Sequence, residues 1–190
     1  MMQVIEWQTF LDNGLFLQEK KTSMTVGIFD GVHRGHKKLI ECIVSHNSHN
    51  MAPVVITFRQ NHKTEENTSI QTFKQRLVMF ENLGIQITIV IDFTEEFKRM
   101  SGIEFLKLLA KNGNIGFFAV GSDFKCGHGL DTDAAAIFDF FKSFNIPAEI
   151  VQEVYHGSLP ISSSRIRKAI ATGDILLAEE MLGRSTTALE

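Results

Sequence analysis

Short apolar runs rich in β-branched residues alternate along the chain with longer segments whose apolar residues recur at helical spacing. The short runs predict five strands, at Met24–Phe29, Pro53–Phe58, Ile85–Ile91, Phe117–Val120 and Ala148–Val154. The longer segments predict helices at Lys37–Val44, Thr72–Leu83, Thr94–Leu109 and Ala134–Phe144, with the third broken at Ser101-Gly102. A strand followed by a helix, repeated in this way, predicts an α/β fold with a parallel, doubly wound sheet.

After the fifth strand the pattern predicts a turn at Tyr155–Ser158 and two C-terminal helices, Ser162–Ala171 and Ile175–Leu182. Gly173 suits the position after the end of a helix, and Asp174 suits an N-cap. The chain has three prolines and no Pro- or Ser-rich linker, and its longest irregular segment is Arg59–Ile70. We therefore expect one domain over residues 1–190.

Charge and composition exclude several classes of partner. The chain has 190 residues, a formal net charge of -3 and only two cysteines, which are not spaced as metal ligands. An acidic protein lacks the basic surface that binds nucleic acid, and no apolar run approaches the roughly 20 residues that span a bilayer. We expect a cytoplasmic protein with small-molecule ligands and neither a nucleic-acid nor a membrane partner; the sequence leaves the oligomeric state unknown.

The first candidate site is the sequence TVGIFDGVHRGH at residues 25–36, which leads from the first predicted strand into a helix. Gly27, Gly31 and Gly35 let the backbone turn closely around a ligand, and amides at a helix N-terminus favour an anion. His33 and His36 are three residues apart, so both imidazoles can donate to one phosphate. The alternative is a glycine-rich turn with two surface histidines; the position at a strand end favours a phosphate site.

Two later segments offer further candidates. Three serines, at 162–164, precede a helix that carries Arg165. They either cap that helix or, with Arg165, form a second anion site, whereas Arg167 and Lys168 are expected on a solvated face. Asp123 follows another predicted strand and is equally suited to binding a nucleotide or forming an Asx turn. The remaining histidines are scattered, so we expect no metal site built by the protein, and Mg²⁺ to arrive with a nucleotide.

Four motifs in order closely resemble the bacterial FAD synthetase family, specifically its FMN adenylyltransferase module. They are GIFDGVHRGH (27–36), VITF with Asn61 (55–61), VGSDFKCG (120–127) and ISSSRIRKAIATGDILLAEEMLGR (161–184). The resemblance implies a Rossmann-like nucleotidyltransferase fold. It also implies the reaction of FMN with ATP, in the presence of Mg²⁺, to give FAD and pyrophosphate.

The resemblance assigns roles to individual residues. It implies that His33, His36 and Arg165 are catalytic and that Asn61 lies on the flavin side. The ATP- and phosphate-binding residues that it implies are Gly27, Phe29, Asp30, Gly31, Asp123, Ser163 and Ser164.

The sequence also departs from the family pattern. Residues 57–62 lack the family's prolines and place Arg59 where an acidic residue is usual, and residues 126–131 replace a basic, glycine-rich loop. Only six residues follow Leu182-Gly183-Arg184, so the family's riboflavin kinase module is expected to be absent. Two alternatives therefore stay open: nucleotidyl transfer to another phosphorylated acceptor, and a noncatalytic protein that binds flavin or nucleotide.

Overall fold

The protein is an α/β structure built on one central parallel sheet. A computed structural model describes residues 1–15, 20–60 and 69–186. The sheet has the order β1-β4-β3-β2-β5-β8, and every neighbouring pair of its strands is parallel. Its strands are β1 (Gln3–Glu6), β2 (Lys21–Val26), β3 (Met51–Phe58), β4 (Ile87–Ile91), β5 (Ile115–Gly121) and β8 (Ala148–Val151).

Helices cover both faces of this sheet, and two short hairpins extend from its edge. The helices are α1 (Trp7–Asn13), α2 (Arg34–Ser45), α3 (Phe73–Asn82), α4 (Glu95–Arg99), α5 (Gly102–Asn112), α6 (Ala134–Ser143), α7 (Ser163–Ala171) and α8 (Ile175–Leu182). The hairpins pair β6 (Lys125–Cys126) with β7 (Thr132–Asp133) and β9 (Tyr155–His156) with β10 (Leu159–Pro160). The predicted doubly wound parallel sheet with C-terminal helices is confirmed.

Alternating side chains of the strands form two apolar layers. In β2, Met24 and Val26 belong to the larger layer, which packs against α1, α5 and α6. The opposite layer includes Val55 and Ala119 and packs against α2 and α3. A third cluster lies between α7 and α8, around Ile166 and Met181. The two C-terminal helices are thus held by an apolar contact of their own.

The ends of the elements show why the site forms where it does. β2 ends at Val26, three residues earlier than predicted, because Phe29 leaves the sheet with a φ of 57° and a fully buried ring. Going along the chain, strands are added on one side of β2 up to β4 and on the other side from β5 onward. The carboxyl ends of β2 and β5 therefore flank the point where the strand order reverses, which is where open α/β sheets bind ligands.

Candidate active site

A cleft of about 360 Å³ opens at this reversal point. It is lined by the end of β2 and the turn after it, by the ends of β3, β5 and β8, and by the first turns of α2 and α7. Two helix N-termini therefore face one cleft, and each carries N–H groups without intrahelical partners and a partial positive charge. Such an arrangement favours an anion with more than one charged group.

The turn between β2 and α2 has an unusual backbone. Phe29, Gly31 and Val32 have φ values of 57°, 82° and 36°, in the left-handed region that side chains other than glycine rarely adopt. A Cβ at Gly31 would lie 2.8 Å from Cδ1 of Ile70, and its φ of 82° would strain any other residue at this position. Each non-glycine residue in this region costs on the order of 1–3 kcal/mol. Contacts elsewhere must hold the turn in place.

His33 forms the N-cap of α2 as a neutral imidazole. Its Nδ1 accepts a hydrogen bond from the backbone N–H of His36 at 3.3 Å, so the proton lies on Nε2. Burial, and next the positive charge of Arg184, lower the pKa of His33 to about 4. The side chain lines the cleft. His33 is thus a hydrogen-bond donor that carries no charge at neutral pH.

His36 stacks on His33 with ring centroids 3.6 Å apart and an angle of 18° between the planes. Its ring also meets the ring of Phe29 edge-on at 5.2 Å. Burial, the neighbouring His33 and the cation Arg76 together hold the pKa of His36 well below its usual value. Within the described ranges, Nδ1 of His36 is buried without a hydrogen-bond partner. The two histidines therefore form a neutral stacked pair beside the N-terminus of α2.

We expect the depressed pKa of His33 to make the protein lose stability in mild acid. The unfolded chain takes up the proton near pH 6.5, whereas the folded chain takes it up near pH 4. The contribution of neutral His33 is therefore complete above pH 6.5 and falls as the pH is lowered towards 4. Asn at position 33 can still cap α2 but does not titrate. His33→Asn should flatten the decrease of the thermal unfolding midpoint between pH 7 and pH 4; an unchanged slope would contradict the assignment.

Asp30 connects the two sides of the cleft. Its Oδ1 accepts from the backbone N–H of Ile70 at 2.9 Å, and its Oδ2 accepts from Nη1 of Arg167 at 2.6 Å. Its backbone carbonyl accepts from the hydroxyl of Ser163 at 2.8 Å. The Asp30 side chain is 4% exposed and that of Arg167 is 21% exposed. The expectation that Arg167 belongs to a solvated face is wrong, because this ion pair turns its guanidinium inward to the cleft.

The three serines at 162–164 make different contacts. Ser162 is the N-cap of α7, where its hydroxyl accepts from the N–H of Arg165, and Ser164 accepts from Nη2 of Arg167. Nη1 of Arg165 donates to the carbonyls of Leu159 and Pro160 in the β9–β10 hairpin. Ser162–Ser164 and Arg167 line the cleft, whereas Arg165 does not. The structure thus brings Ser163 and Ser164 to the site and places the side chain of Arg165 against the hairpin.

The remaining sequence candidates lie along the same cleft. Gly27, Phe29 and Asp30 line it, and Gly31 forms the turn that carries them. Asp123 also lines the cleft and is exposed, so the geometry is consistent with contact to a ligand. Asn61 lies outside the described residues. The roles of these residues stay predictions.

One wall of the cleft is aromatic. It follows the ends of β3 and β4 and includes Phe58, Phe93, Phe97, Phe105 and Phe124, together with Met100. Neighbouring rings lie 5.7–5.8 Å apart: Phe58 contacts Phe93 and Phe97, and Phe97 contacts Phe105. The opposite end, at β8, is lined by Val151, Glu153 and Val154. The turn after β2 and the first turns of α2 and α7 lie between these two ends.

Two of the departures from the family pattern, Arg59 and the segment 126–131, have local partners. Arg59 donates to Glu6 at 2.5 Å and to Asp92 at 2.9 Å, so it joins the ends of three strands. In the second segment, Asp131 accepts from the backbone N–H of Gly102 at 2.9 Å, and Gly127 has a φ of 85°. A Cβ at Gly127 would lie 2.2 Å from N of Gly102. The second segment lines the cleft through Cys126, Gly127 and Leu130, whereas Arg59 lies directly after Phe58, which also lines it.

The sequence analysis missed two arginines that hold the backbone around the cleft. Arg76 is 4% exposed and donates to the carbonyls of Ile28 and Phe58, at the ends of β2 and β3. The signal was a cation on the apolar face of α3, three residues after Phe73 and four before Phe80. Arg184 donates to carbonyls of the turn before α2. It follows the last helix, where no periodic pattern indicates a partner.

A family model described as FAD synthetase matches residues 16–165. The chain belongs to the FAD synthetase family. This confirms the resemblance found in the sequence, and the matched residues include both histidines, Asp30 and the start of α7.

Curated relatives match this chain over most of its length. A bifunctional riboflavin kinase/FMN adenylyltransferase of Escherichia coli K12 is 26% identical over 167 residues, which cover 84% of this chain and 53% of the relative. An FAD synthetase of Listeria monocytogenes is 29% identical and is covered over 68% of its length. The chain thus spans about half the length of the bifunctional relatives.

A solved structure supports the fold independently. A chain described as a macrolide-efflux protein from Streptococcus pneumoniae superposes with a TM-score of 0.83 and 24% identity, covering 98% of this chain and 72% of that one. At this identity the likeness concerns the fold alone. Among the helices of residues 1–15, 20–60 and 69–186, none has the length and apolar character needed to cross a membrane.

Proposed function

We propose that this protein is an FMN adenylyltransferase that transfers AMP from ATP to FMN, giving FAD and pyrophosphate. The observation that carries the proposal is the meeting of two helix N-termini, a stacked pair of neutral histidines and Arg167 at one cleft. A triphosphate has the size and charge for such a site. Membership of the FAD synthetase family supports the choice of substrates.

The two helix termini suggest how the phosphates divide. The first turn of α2, with His33 and His36, suits the α-phosphate, since imidazole N–H groups donate to oxygens that gain charge as the reaction proceeds. The first turn of α7, with Ser164 and Arg167, suits the β- and γ-phosphates that leave as pyrophosphate. Asp30, in the turn before α2, contacts Ser163 and Arg167 of α7 and so links the two helix termini. The geometry of Arg167 favours it over Arg165 for this role.

The walls on either side of the phosphates suit the two ring systems. The isoalloxazine ring is flat and apolar over much of its area, and the cluster around Phe58, Phe93 and Phe97 offers it ring faces and edges. The other end of the cleft, where Val151 and Val154 lie, is left for the adenosine. The FMN phosphate then points towards the histidine pair between these two ends.

The transfer is a direct displacement at phosphorus. An oxygen of the FMN phosphate forms a bond to the α-phosphorus while the bond from that phosphorus to the bridging oxygen of pyrophosphate breaks. The attacking phosphate is already anionic, so no general base is needed, and positioning and charge stabilisation dominate. Neutral His33 and His36 can donate throughout, because they hold no charge that must be neutralised first.

Magnesium is the metal ion implied by this chemistry. Mg²⁺ would be held by phosphate oxygens and one or two protein oxygens, and it would supply positive charge to the triphosphate. The cleft fits this demand, since Asp123 is an exposed carboxylate on its wall. Asp30 accepts hydrogen bonds from Arg167 and Ile70, so it is better suited to linking the two helix termini than to binding the metal ion.

A panel of acceptors tests the proposal. ATP labelled at the α-phosphorus is incubated with the purified protein, Mg²⁺ and, in parallel, FMN, riboflavin, nicotinamide mononucleotide or phosphopantetheine. The proposal expects label to enter a dinucleotide product with FMN and with none of the other three. Labelled product from another phosphate ester would replace FMN as the acceptor. Binding of FMN and ATP without label transfer would favour a noncatalytic protein.

A further inference from the structure

We propose that Arg184 is a positioning residue, which together with Gln71 holds the β2–α2 turn in the conformation that binds the transferred phosphate. This inference rests on the proposed function for its substrate. Arg184 lies two residues beyond the end of α8, and Gln71 lies just before α3, so neither belongs to the glycine-rich motif itself. We call these two side chains the Arg184–Gln71 clamp.

The contacts of the clamp fall on the carbonyl groups of the turn. Nη1 of Arg184 donates to the carbonyl of Val32 at 3.1 Å, and Nη2 donates to that of Gly31 at 2.6 Å. Nη2 also donates to Oε1 of Gln71 at 3.4 Å, and Nε2 of Gln71 donates to the carbonyl of Phe29 at 3.4 Å. One fork-shaped guanidinium and one amide thus hold three carbonyl oxygens.

These three carbonyls belong to Phe29, Gly31 and Val32, the residues with left-handed φ. A β-branched residue such as Val32 rarely adopts this region, so the conformation persists only where surrounding contacts determine it. Because a trans peptide group is planar, fixing the carbonyl of Val32 also fixes the direction of the N–H of His33. The clamp therefore orients the backbone that leads directly into the histidine pair.

Arg184 is itself held in place by the end of the last helix. Met181 and Leu182 are fully buried, and Gly183 has a φ of 66°, which turns the chain back towards α2. The carbonyl of Gly183 accepts from Nζ of Lys37 at 3.3 Å. The C-terminal end of the described chain thus contacts α2 through Gly183 and the β2–α2 turn through the guanidinium of Arg184.

The positive charge of Arg184 also acts on His33, in addition to the hydrogen bonds that Arg184 donates to the turn. The oxygen atoms that Arg184 contacts are neutral carbonyl and amide oxygens. Its positive charge contributes to the lowered pKa of His33, after burial. One side chain therefore both sets the backbone before His33 and favours the neutral imidazole.

The test compares Arg184→Ala, Arg184→Lys and Lys111→Ala in the purified full chain, with ATP, FMN and Mg²⁺. Misplacement of a reacting group by about 1 Å can cost 10²-fold in rate, so Arg184→Ala should lower kcat by about that factor. The KM for FMN should stay within about twofold, because the aromatic wall is untouched. Arg184→Lys keeps the charge without the fork and should recover only part of kcat. Lys111→Ala, an exposed cation in α5, should behave as wild type.

Added guanidinium ion provides a rescue test. It should raise the kcat of Arg184→Ala by several-fold and leave Lys111→Ala unchanged, since it can restore a donor to the turn. The inference would be overturned if guanidinium did not rescue Arg184→Ala and its loss of activity were no larger than the fraction of unfolded protein measured by thermal unfolding. A kcat equal to wild type in Arg184→Ala would also overturn it.

Amide hydrogen exchange separates this inference from the proposed function. Arg184→Ala should accelerate exchange of the N–H groups of Val32 and His33, while exchange in α5 stays as in wild type. Unchanged exchange in the turn overturns the clamp even if the wild type makes FAD. Accelerated exchange together with no FAD from the wild type supports the clamp and rejects the proposed function.

Discussion

Replacing His36 by alanine is expected to lower kcat for FAD formation by about 10²–10³-fold, the loss that follows removal of one transition-state donor. The imidazole stacks on His33 at 3.6 Å and lines the cleft beside the N-terminus of α2. Because the donor acts mainly as charge develops at the α-phosphorus, KM for ATP should change much less than kcat. The measurement is steady-state kinetics with FAD separated by chromatography.

A conservative variant sharpens this prediction. The pKa of His36 lies well below its usual value, so the proposed role needs a neutral donor and not a cation. The amide of Gln is such a donor, and His36→Gln should therefore retain more activity than His36→Ala. His49→Ala, at an exposed histidine beyond the other end of α2, is the matched control. Full activity in His36→Ala would contradict the role.

Replacing Arg167 by alanine is expected to raise KM for ATP by roughly tenfold to a hundredfold. Charge-assisted hydrogen bonds contribute about 1.5–3 kcal/mol, and Arg167 is the cation that both lines the cleft and pairs with buried Asp30. The same change should also lower the free energy of unfolding by about 1–3 kcal/mol, because Asp30 loses a buried partner. Thermal or urea unfolding reports that second effect.

Arg165→Ala is the comparison variant for Arg167→Ala. Its guanidinium donates to the carbonyls of Leu159 and Pro160, so we expect a smaller change in KM for ATP. A combined Asp30→Asn and Arg167→Ala variant should lose less stability than the sum of the single changes, since the two side chains share one ion pair. A larger ATP defect in Arg165→Ala than in Arg167→Ala would reverse the assignment.

Much of the fold was predictable because its elements have clear periodic patterns. The five predicted strands and the helices after them are present, although β2 and β8 each end three residues before the predicted bound. The break at Ser101-Gly102 is a true helix start with a capping box from Ser101 and Glu104. β1, α1 and the strands of the two short hairpins were missed. β1 is a four-residue edge strand whose side chains are exposed except for that of Ile5, and α1 is a seven-residue helix that begins without a side-chain cap.

The candidate site was predictable only as far as local sequence determines it. The histidine pair and the serines lie at element ends, where spacing and turn chemistry are informative. The partner of each arginine is set by tertiary packing, which brings Asp30 and Arg167 together across 137 residues of chain. The choice between Arg165 and Arg167 therefore could not be made from periodicity, since both lie in the first turns of one helix.

The most direct test of the central claim is the stoichiometry of the reaction. Purified protein is incubated with ATP, FMN and Mg²⁺, and FAD and pyrophosphate are quantified over time. We predict that FAD and pyrophosphate appear in equal amounts as FMN disappears. The His33→Ala/His36→Ala double variant should form neither product. FMN that stays unconverted with the wild-type protein, or pyrophosphate released without FAD, would contradict it.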